Sequence, residues 1–257
     1  MAPGPQLSIV VPLYKEKDNV RPLHKALRSV IDRGGYDAEI VLVDDGSPDG
    51  QIEVLSQVAA EDPAVRVLKF RRNAGQTAAM EAGILAARGA VVVTLDGDLQ
   101  NDPEDIPVLL AALDKADCAC GDRTAGRKGG DTGWKVFSSR VANGFRNWIT
   151  GDTIRDAGCC FRAFKREAFR RIKLFRGLHR FLPTLMRLEG FTVVEVPIKH
   201  HPRHAGKSNY GTLDRLFVGM VDCFAIAWMR ARTFRYEVQA EISAAAGTAP
   251  VSGGRAE

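Results

Sequence analysis

The 257-residue sequence predicts an α/β fold, a mostly parallel sheet with helices on both faces. Two observations carry this. Short, almost wholly apolar runs alternate with stretches of helical periodicity from residue 7 to residue 120, and acidic clusters stand where the apolar runs end. Continuous apolar runs belong to strands buried on both faces and joined by helical crossovers, and such sheets carry their functional residues in loops at the strands' C-terminal ends.

Leu7 to Leu13 is the first strand, and Asp18 to Arg33 shows helical spacing with Val20, Leu23, Leu27, Val30 and Ile31 on one side. Ile40 to Val43 is the second strand and runs into Asp44-Asp45-Gly46-Ser47-Pro48. A helix with Ile52, Leu55 and Val58 inward follows, then strand Val65 to Phe70, helix Gln76 to Arg88 and strand Ala90 to Leu95. Helix Pro103 to Lys115 and strand Cys118 to Cys120 lead into the glycine-rich basic run Gly121 to Gly130, expected to be a mobile loop. Beyond it the spacing predicts a helix from Trp134 to about Thr150, a compact segment Asp156 to Phe164 and a helix from Phe161 to Phe169. Helical character then continues to Gly190, before strand Phe191 to Ile198 and a basic turn from His200 to Tyr210. Trp134 and Trp148 are read as packing residues.

Leu216 to Met229 is the longest apolar stretch, but it is broken by Asp222 and flanked by Arg215 and Arg230, and is too short to cross a bilayer. A helix docked on the core and a helix lying in a membrane interface both fit it; the interface is the expectation. Residues 236–257 hold too little apolar content to pack and are expected to be disordered.

A composition of 45% hydrophobic and 26% charged residues is that of a folded protein with a substantial core. Five cysteines in irregular spacing, and an N-terminus without a basic-then-apolar signal pattern, point to reduced buried thiols and a cytoplasmic setting. The formal charge of +5 hides a division: residues 1–120 carry 12 Lys/Arg against 19 Asp/Glu, and residues 121–235 carry 23 against 9. The second half is built to meet anions. Nucleic acid is not the expected partner, because neither an RNP-like aromatic strand nor a recognition-helix pattern is present.

Asp96 and Asp98 close the apolar run 90–95, and side chains two apart on extended backbone point the same way. Together they form a candidate site for one hard divalent ion, Mg²⁺ or Mn²⁺, with coordination positions left for substrate phosphate. A solvated turn is the alternative for an Asp-x-Asp taken alone.

Leu7 to Tyr14, Asp44-Asp45-Gly46-Ser47, Arg72-Asn73-Ala74-Gly75 and Asp96-Gly97-Asp98-Leu99-Gln100, in this order and spacing, resemble the family 2 glycosyltransferases of the GT-A (Rossmann-like) fold over about residues 6 to 232. Gly121-Asp122-Arg123, the run Arg155 to Phe164, and Arg203 to Tyr210 narrow the likeness to polyprenyl-phosphate sugar transferases of the dolichol-phosphate mannosyltransferase type. Residues 211–232 are the candidate interfacial helix by their apolar and basic pattern, and the resemblance implies one GT-A domain over 1–232 with a nucleotide-sugar half (1–120) and an acceptor half (121–210). It implies inverting transfer from a GDP- or UDP-sugar to a polyprenyl phosphate, by an enzyme peripheral on the inner face of the cell membrane.

Residue by residue, Pro12, Tyr14 and Glu16 match the nucleotide-binding first loop, and Asp44 or Asp45 the acid that contacts base or ribose. Asp96, Gly97 and Asp98 match the metal and pyrophosphate site, with Gln100 beside it. Arg203, Lys207 and Ser208 match a loop closing over the phosphates, and Arg123 with Lys135 or Arg140 would hold the acceptor phosphate. Asp156 is expected to act as a base or to position sugar hydroxyls, with capping of a turn as the alternative role. Asn209 stands where family members often carry lysine. A transferase acting on a soluble or polysaccharide acceptor is the alternative function.

Overall fold

Leu7–Leu13 forms β1, buried along its whole length because its side chains serve two cores at once. Leu7, Ile9, Val11 and Leu13 pack with Leu23, Leu27, Val30 and Ile31 of helix α1 (Val20–Gly34) on one face. Val10 packs with Ala79, Met80 and Ile84 of α3 (Gln76–Ala86) on the other. Truncating a residue such as Ile9 to alanine is expected to cost about 2–5 kcal/mol.

The computed structural model describes residues 4–124, 133–172, 175–201, 212–233, 241–243 and 247–249, with side chains of 133–140, 212–217 and the last two stretches left out. Around β1 the strands β2 (Ala38–Asp44), β3 (Val65–Lys69) and β4 (Val91–Thr94) run parallel, and α2 (Gln51–Glu61) connects β2 to β3. After α4 (Ile106–Ala112), β5 (Cys118–Asp122), β6 (Arg162–Lys165) and β7 (Val193–Pro197) complete a seven-stranded sheet in the order β3-β2-β1-β4-β6-β5-β7. The expected GT-A arrangement is the fold found. The direction of winding reverses between β1 and β4, and the crevice outside the strand ends at such a point is where open sheets bind ligands.

β6 corrects the sequence reading. The expected helix from Phe161 to Phe169 is a strand over Arg162–Lys165, antiparallel to both β4 and β5, and only α6 (Arg166–Phe169) is helical. The tetrapeptide is too short to show a period, and what fixes it is the slot between two strands. The remaining helices are α5 (Gly133–Thr150), α7 (Leu182–Leu188) and α8 (Thr212–Ala231). Glu241–Ser243 and Gly247–Ala249 pair as a short antiparallel ribbon inside the tail whose composition predicts disorder. All five cysteines are buried and free of disulfides.

Candidate active site

The acids at the end of β2 divide their work. Asp45 is spent on one loop: its carboxylate accepts from Asn73 Nδ2 (2.8 Å), Ala74 N (2.7 Å) and Gly75 N (2.9 Å). Gly46, in the left-handed region at φ +67°, lies so close that a Cβ would stand 2.5 Å from the Arg72 backbone. Asp44 is buried; its Oδ1 accepts from Gln51 Nε2 (2.7 Å) and Ser47 N (3.3 Å), while its Oδ2 has no partner among the described residues. Gln51 Oε1 in turn accepts from Glu16 N (2.8 Å), and Lys15 N donates to Ser47 Oγ (3.1 Å), so the loop after β1 is clasped to Asp44. Lys15 holds φ +58°, a strained conformation for a non-glycine residue. Buried Pro12 lies one residue before the end of β1, half-buried Tyr14 follows the strand, and Lys15 Nζ lies 5.2 Å from the Tyr14 ring centre.

The acid pair stands at the end of β4, on the other side of β1. Asp96 Oδ1 accepts from Gln76 Nε2 (2.7 Å) at the start of α3, and Asp98 Oδ1 accepts from Gln100 N (3.1 Å). Between them Gly97 is pressed on β1: a Cβ there would meet Leu13 Cδ2 at 2.2 Å. Leu99 adopts φ +58°, the second strained residue among those described. Burial and then the charge of Asp98 push the Asp96 carboxyl up to about 6, against the pull of Arg123 and Arg162. This donor chemistry fits a hard divalent cation, which would relieve the repulsion between the acids; one or two carboxylates with water and substrate phosphate make an ordinary Mg²⁺ site.

Beyond the acids lies a cationic wall. Arg123, just after β5, donates from Nε (2.7 Å) and Nη2 (2.9 Å) to the two oxygens of Asp156, and its backbone N reaches Oδ2 (3.2 Å). Asp156 holds the Arg123 proton well above the ordinary guanidinium range even though burial opposes this. Glu195 of β7 fixes the segment by accepting from the backbone N of Arg155 (2.8 Å) and Asp156 (3.3 Å). Arg162 is 1% exposed and donates to the carbonyls of His179 (2.6 Å) and Ala157 (3.2 Å), while its Nε has no partner among the described residues. A fully buried guanidinium bonded to carbonyls keeps its charge, and it stands near enough to Asp96 to lower that carboxyl.

The family model described as "Glycosyl transferase family 2" matches residues 8–173. The chain belongs to this family. It is 36% identical over 227 residues to a dodecaprenyl-phosphate galacturonate synthase of Rhizobium johnstonii, covering 86% of this chain and 66% of that protein. It is 35% identical to an undecaprenyl-phosphate 4-deoxy-4-formamido-L-arabinose transferase of Edwardsiella ictaluri, covering 88% of the chain and 70% of the relative. The chain thus spans about two thirds of the length of these relatives. Among solved structures it resembles mannosyl-3-phosphoglycerate synthase from Rubrobacter xylanophilus (TM-score 0.67, 17% identity, 95% of this chain and 83% of the other). It also resembles glucosyl-3-phosphoglycerate synthase from Mycobacterium tuberculosis in complex with Mg²⁺ and uridine diphosphate (TM-score 0.63, 19% identity, 98% and 90%). At such identities these two speak for the fold.

Within this family 2 chain the structure brings together Pro12, Tyr14, Glu16, Asp44, Asp45, Asp96, Gly97, Asp98 and Gln100 on neighbouring strand ends, with Arg123 and Asp156 paired beyond them. Arg203, Lys207 and Ser208 lie outside the described residues. The strand leading to them is tied to the acid turn, because His201 N donates to the Gln100 carbonyl (2.9 Å). Lys135 and Arg140 lie on α5, with side chains outside the description.

His179 Nδ1 bonds Thr77 Oγ1 (2.8 Å) and His201 Nε2 meets Asp102 (3.2 Å). Trp148 is not a packing residue: it is 80% exposed. Sequence reasoning passed over Gln51, Gln76, Arg162 and Glu195. Asn73 and Arg162 did carry a signal, inside the Arg72 to Gly75 motif and the Arg155 to Phe164 run.

Proposed function

We propose that this chain transfers a hexose-type sugar, with inversion, from a UDP- or GDP-sugar to a polyprenyl phosphate, working peripherally at a membrane surface. The observation that carries the reading is the pairing of two unlike half-sites across β1: the partnerless buried Oδ2 of Asp44 on one side, and the Asp96–Asp98 pair facing Arg123 and Arg162 on the other. A nucleoside diphosphate sugar needs an acceptor for its nucleoside, charge neutralisation for its diphosphate and a cationic seat for the incoming phosphate. The names of the relatives supply the acceptor class.

In this reading Asp44 Oδ2 accepts from the base or ribose, with Tyr14 and the Pro12 and Glu16 backbone closing that side. Asp96 and Asp98 hold Mg²⁺ or Mn²⁺, which when bound draws charge from the departing diphosphate. Arg203, Lys207 and Ser208 add donors to the same phosphates. Asp156 keeps Arg123 charged and aimed, and Arg123 presents Nη1, with Lys135 or Arg140, to the acceptor phosphate. One phosphate oxygen attacks the anomeric carbon from the face opposite the diphosphate, and the bond to the diphosphate breaks. A phosphate monoester is largely ionised near neutral pH, so no strong base is required, and Asp156 acts by positioning.

The test is transfer of radiolabelled sugar to undecaprenyl phosphate by the intact chain and by Asp98→Ala. Organic-phase product made by the wild type and lost in the variant is expected. A water-soluble product would overturn the lipid acceptor, and undiminished transfer by the variant would overturn the metal site.

A further inference from the structure

The first turn of α3 is gripped from two sides. Ahead of it, Asp45 takes the backbone N–H groups of Ala74 (2.7 Å) and Gly75 (2.9 Å), and Gly75 turns the chain into the helix at φ +96°, a conformation that favours glycine. On the far side, Thr77 Oγ1 accepts from Gly177 N (3.1 Å) and bonds His179 Nδ1 (2.8 Å). The helix is also pressed on β1, where a Cβ on Gly83 would stand 2.3 Å from Val10 Cγ1.

Gln76 lies between these anchors, and its side chain leaves the helix for the end of β4. There Nε2 donates to Asp96 Oδ1 (2.7 Å) and to Cys160 Sγ (3.5 Å). An ionised carboxylate only accepts, so the amide nitrogen and not the amide oxygen must face Asp96. With both of its protons engaged, the amide holds one orientation.

We propose that Gln76 is a positioning residue for the divalent cation: it sets the rotation of the Asp96 carboxylate, and thereby the affinity of the acid pair for Mg²⁺ or Mn²⁺. The proposal rests on the reading of Asp96 and Asp98 as metal ligands.

The chemistry of the donor favours this role over space filling. A lysine or arginine at the same distance would also hold Asp96, but it would neutralise the carboxylate and compete with a metal ion for it. A neutral amide orients the group and leaves its charge in place. The nearby guanidiniums are engaged elsewhere, Arg123 on Asp156 and Arg162 on the His179 and Ala157 carbonyls. Asp98 is held by the Gln100 backbone N within its own turn, so the two acids are oriented by separate elements. A change confined to Gln76 therefore reaches Asp96 and spares the Asp98 turn. Were Gln76 only filling space, methionine, of similar length and volume but without a donor, would serve as well.

The test compares the full chain as wild type, Q76M, Q76A and, as the metal-site control, Asp98→Ala. Free Mn²⁺ is followed by its electron paramagnetic resonance signal as protein is added, first alone and then with UDP or GDP present. Q76M is expected to bind Mn²⁺ at least about tenfold more weakly than the wild type, with its metal-free unfolding unchanged. The Mn²⁺ concentration giving half-maximal transfer should rise by the same factor, while the KM for prenyl phosphate stays as it is. A packing role predicts the reverse: Q76M like the wild type, and Q76A less stable with its Mn²⁺ affinity kept. In the ¹⁵N-labelled wild type the Gln76 side-chain amide resonances should also shift on adding Mg²⁺, which probes the contact without any variant.

Equal Mn²⁺ affinity in the wild type and Q76M, or a Gln76 amide indifferent to Mg²⁺, overturns the positioning role; the metal site still stands if Asp98→Ala has lost the ion. A wild type that binds no Mn²⁺, or Asp98→Ala that binds it as tightly as the wild type, overturns the metal reading, and the role of Gln76 falls with it. The Mn²⁺ titration decides this whether or not a prenyl phosphate accepts the sugar, so failure of the acceptor reading is read separately.

Discussion

Asp156 takes both forked donors of Arg123, Nε at 2.7 Å and Nη2 at 2.9 Å, while both residues are almost shut off from solvent. A bidentate pair of this kind fixes the plane of the guanidinium as well as its charge. Asp156→Asn keeps the volume but leaves a buried cation short of its partner, at a cost of about 3–5 kcal/mol. Arg123→Lys keeps the charge and loses the fork. Both variants are expected to reduce transfer at least about a hundredfold, chiefly through the acceptor's KM in Arg123→Lys, read by varying prenyl phosphate at saturating donor. An unchanged acceptor KM would remove Arg123 from the phosphate seat.

Asp44 and Asp45 are neighbours with opposite expected phenotypes. Asp45→Ala strips three bonds from the Asn73 to Gly75 loop and is expected to lower stability by about 2–4 kcal/mol, seen in urea unfolding. Asp44→Asn retains an oxygen for Gln51 and removes charge from the atom that has no protein partner. Its stability is expected to stay within about 1 kcal/mol of the wild type, while KM for the nucleotide sugar rises at least about tenfold. Equal effects of the two on donor KM would contradict the division of labour.

Much of this site was legible in the sequence, for an identifiable reason. Acids at the ends of apolar runs must emerge at the sheet's rim, so the placement of Asp44, Asp45, Asp96 and Asp98 follows from local pattern alone. Which neighbour engages each acid does not follow. Asp45 is used up by Asn73, and Asp96 is held by Gln76, across separations of 28 and 20 residues that no periodicity reports. The same limit hid β6: Arg162–Lys165 is a strand because β4 and β5 leave a slot there, and Arg162 is tolerated inside because the His179 and Ala157 carbonyls converge on it. Trp148 was misplaced because apolar content predicts burial in general but does not say which face of a helix finds a partner.

Metal binding is expected to depend on pH through Asp96. Its folded-state value, about 6, lies above the ordinary carboxylate value, so the metal-free fold gains stability from this proton at low pH and loses it as pH rises through about 6. The loss is at most about 3 kcal/mol, and less to the extent that water reaches the carboxyl. Added Mn²⁺ replaces the proton. The rise in Tm on adding Mn²⁺ should therefore be larger near pH 7.5 than near pH 5, and Asp96→Asn should flatten that difference. A metal-induced shift independent of pH would place the cation elsewhere.

Asp152 joins α5 to α7. It accepts from Arg146 Nη2 of α5 (2.9 Å) and is bonded to Thr184 and Arg187 of α7, while Arg187 also donates to the Val193 carbonyl of β7 (3.3 Å). Burial works to raise its carboxyl, but the Thr184 hydroxyl and the two guanidiniums outweigh it and hold it below the ordinary range. Burial also loosens the Arg146 proton, yet a guanidinium stays charged at every pH the fold survives. A carboxyl depressed in the folded state contributes stability that is fully present above its unfolded value, near 4, and is lost as pH falls through the folded value. Asp152→Asn should cost about 3–5 kcal/mol at neutral pH, because one oxygen cannot serve two arginines and a hydroxyl. The Tm gap between wild type and variant should then narrow as pH falls below about 4. Because Arg146 ties α5 to Asp152, the variant should loosen this helix first, so amide exchange along 141–150 should rise before the central sheet opens. A gap that stays constant down to pH 3 would mean that Asp152 holds these helices by shape rather than by charge.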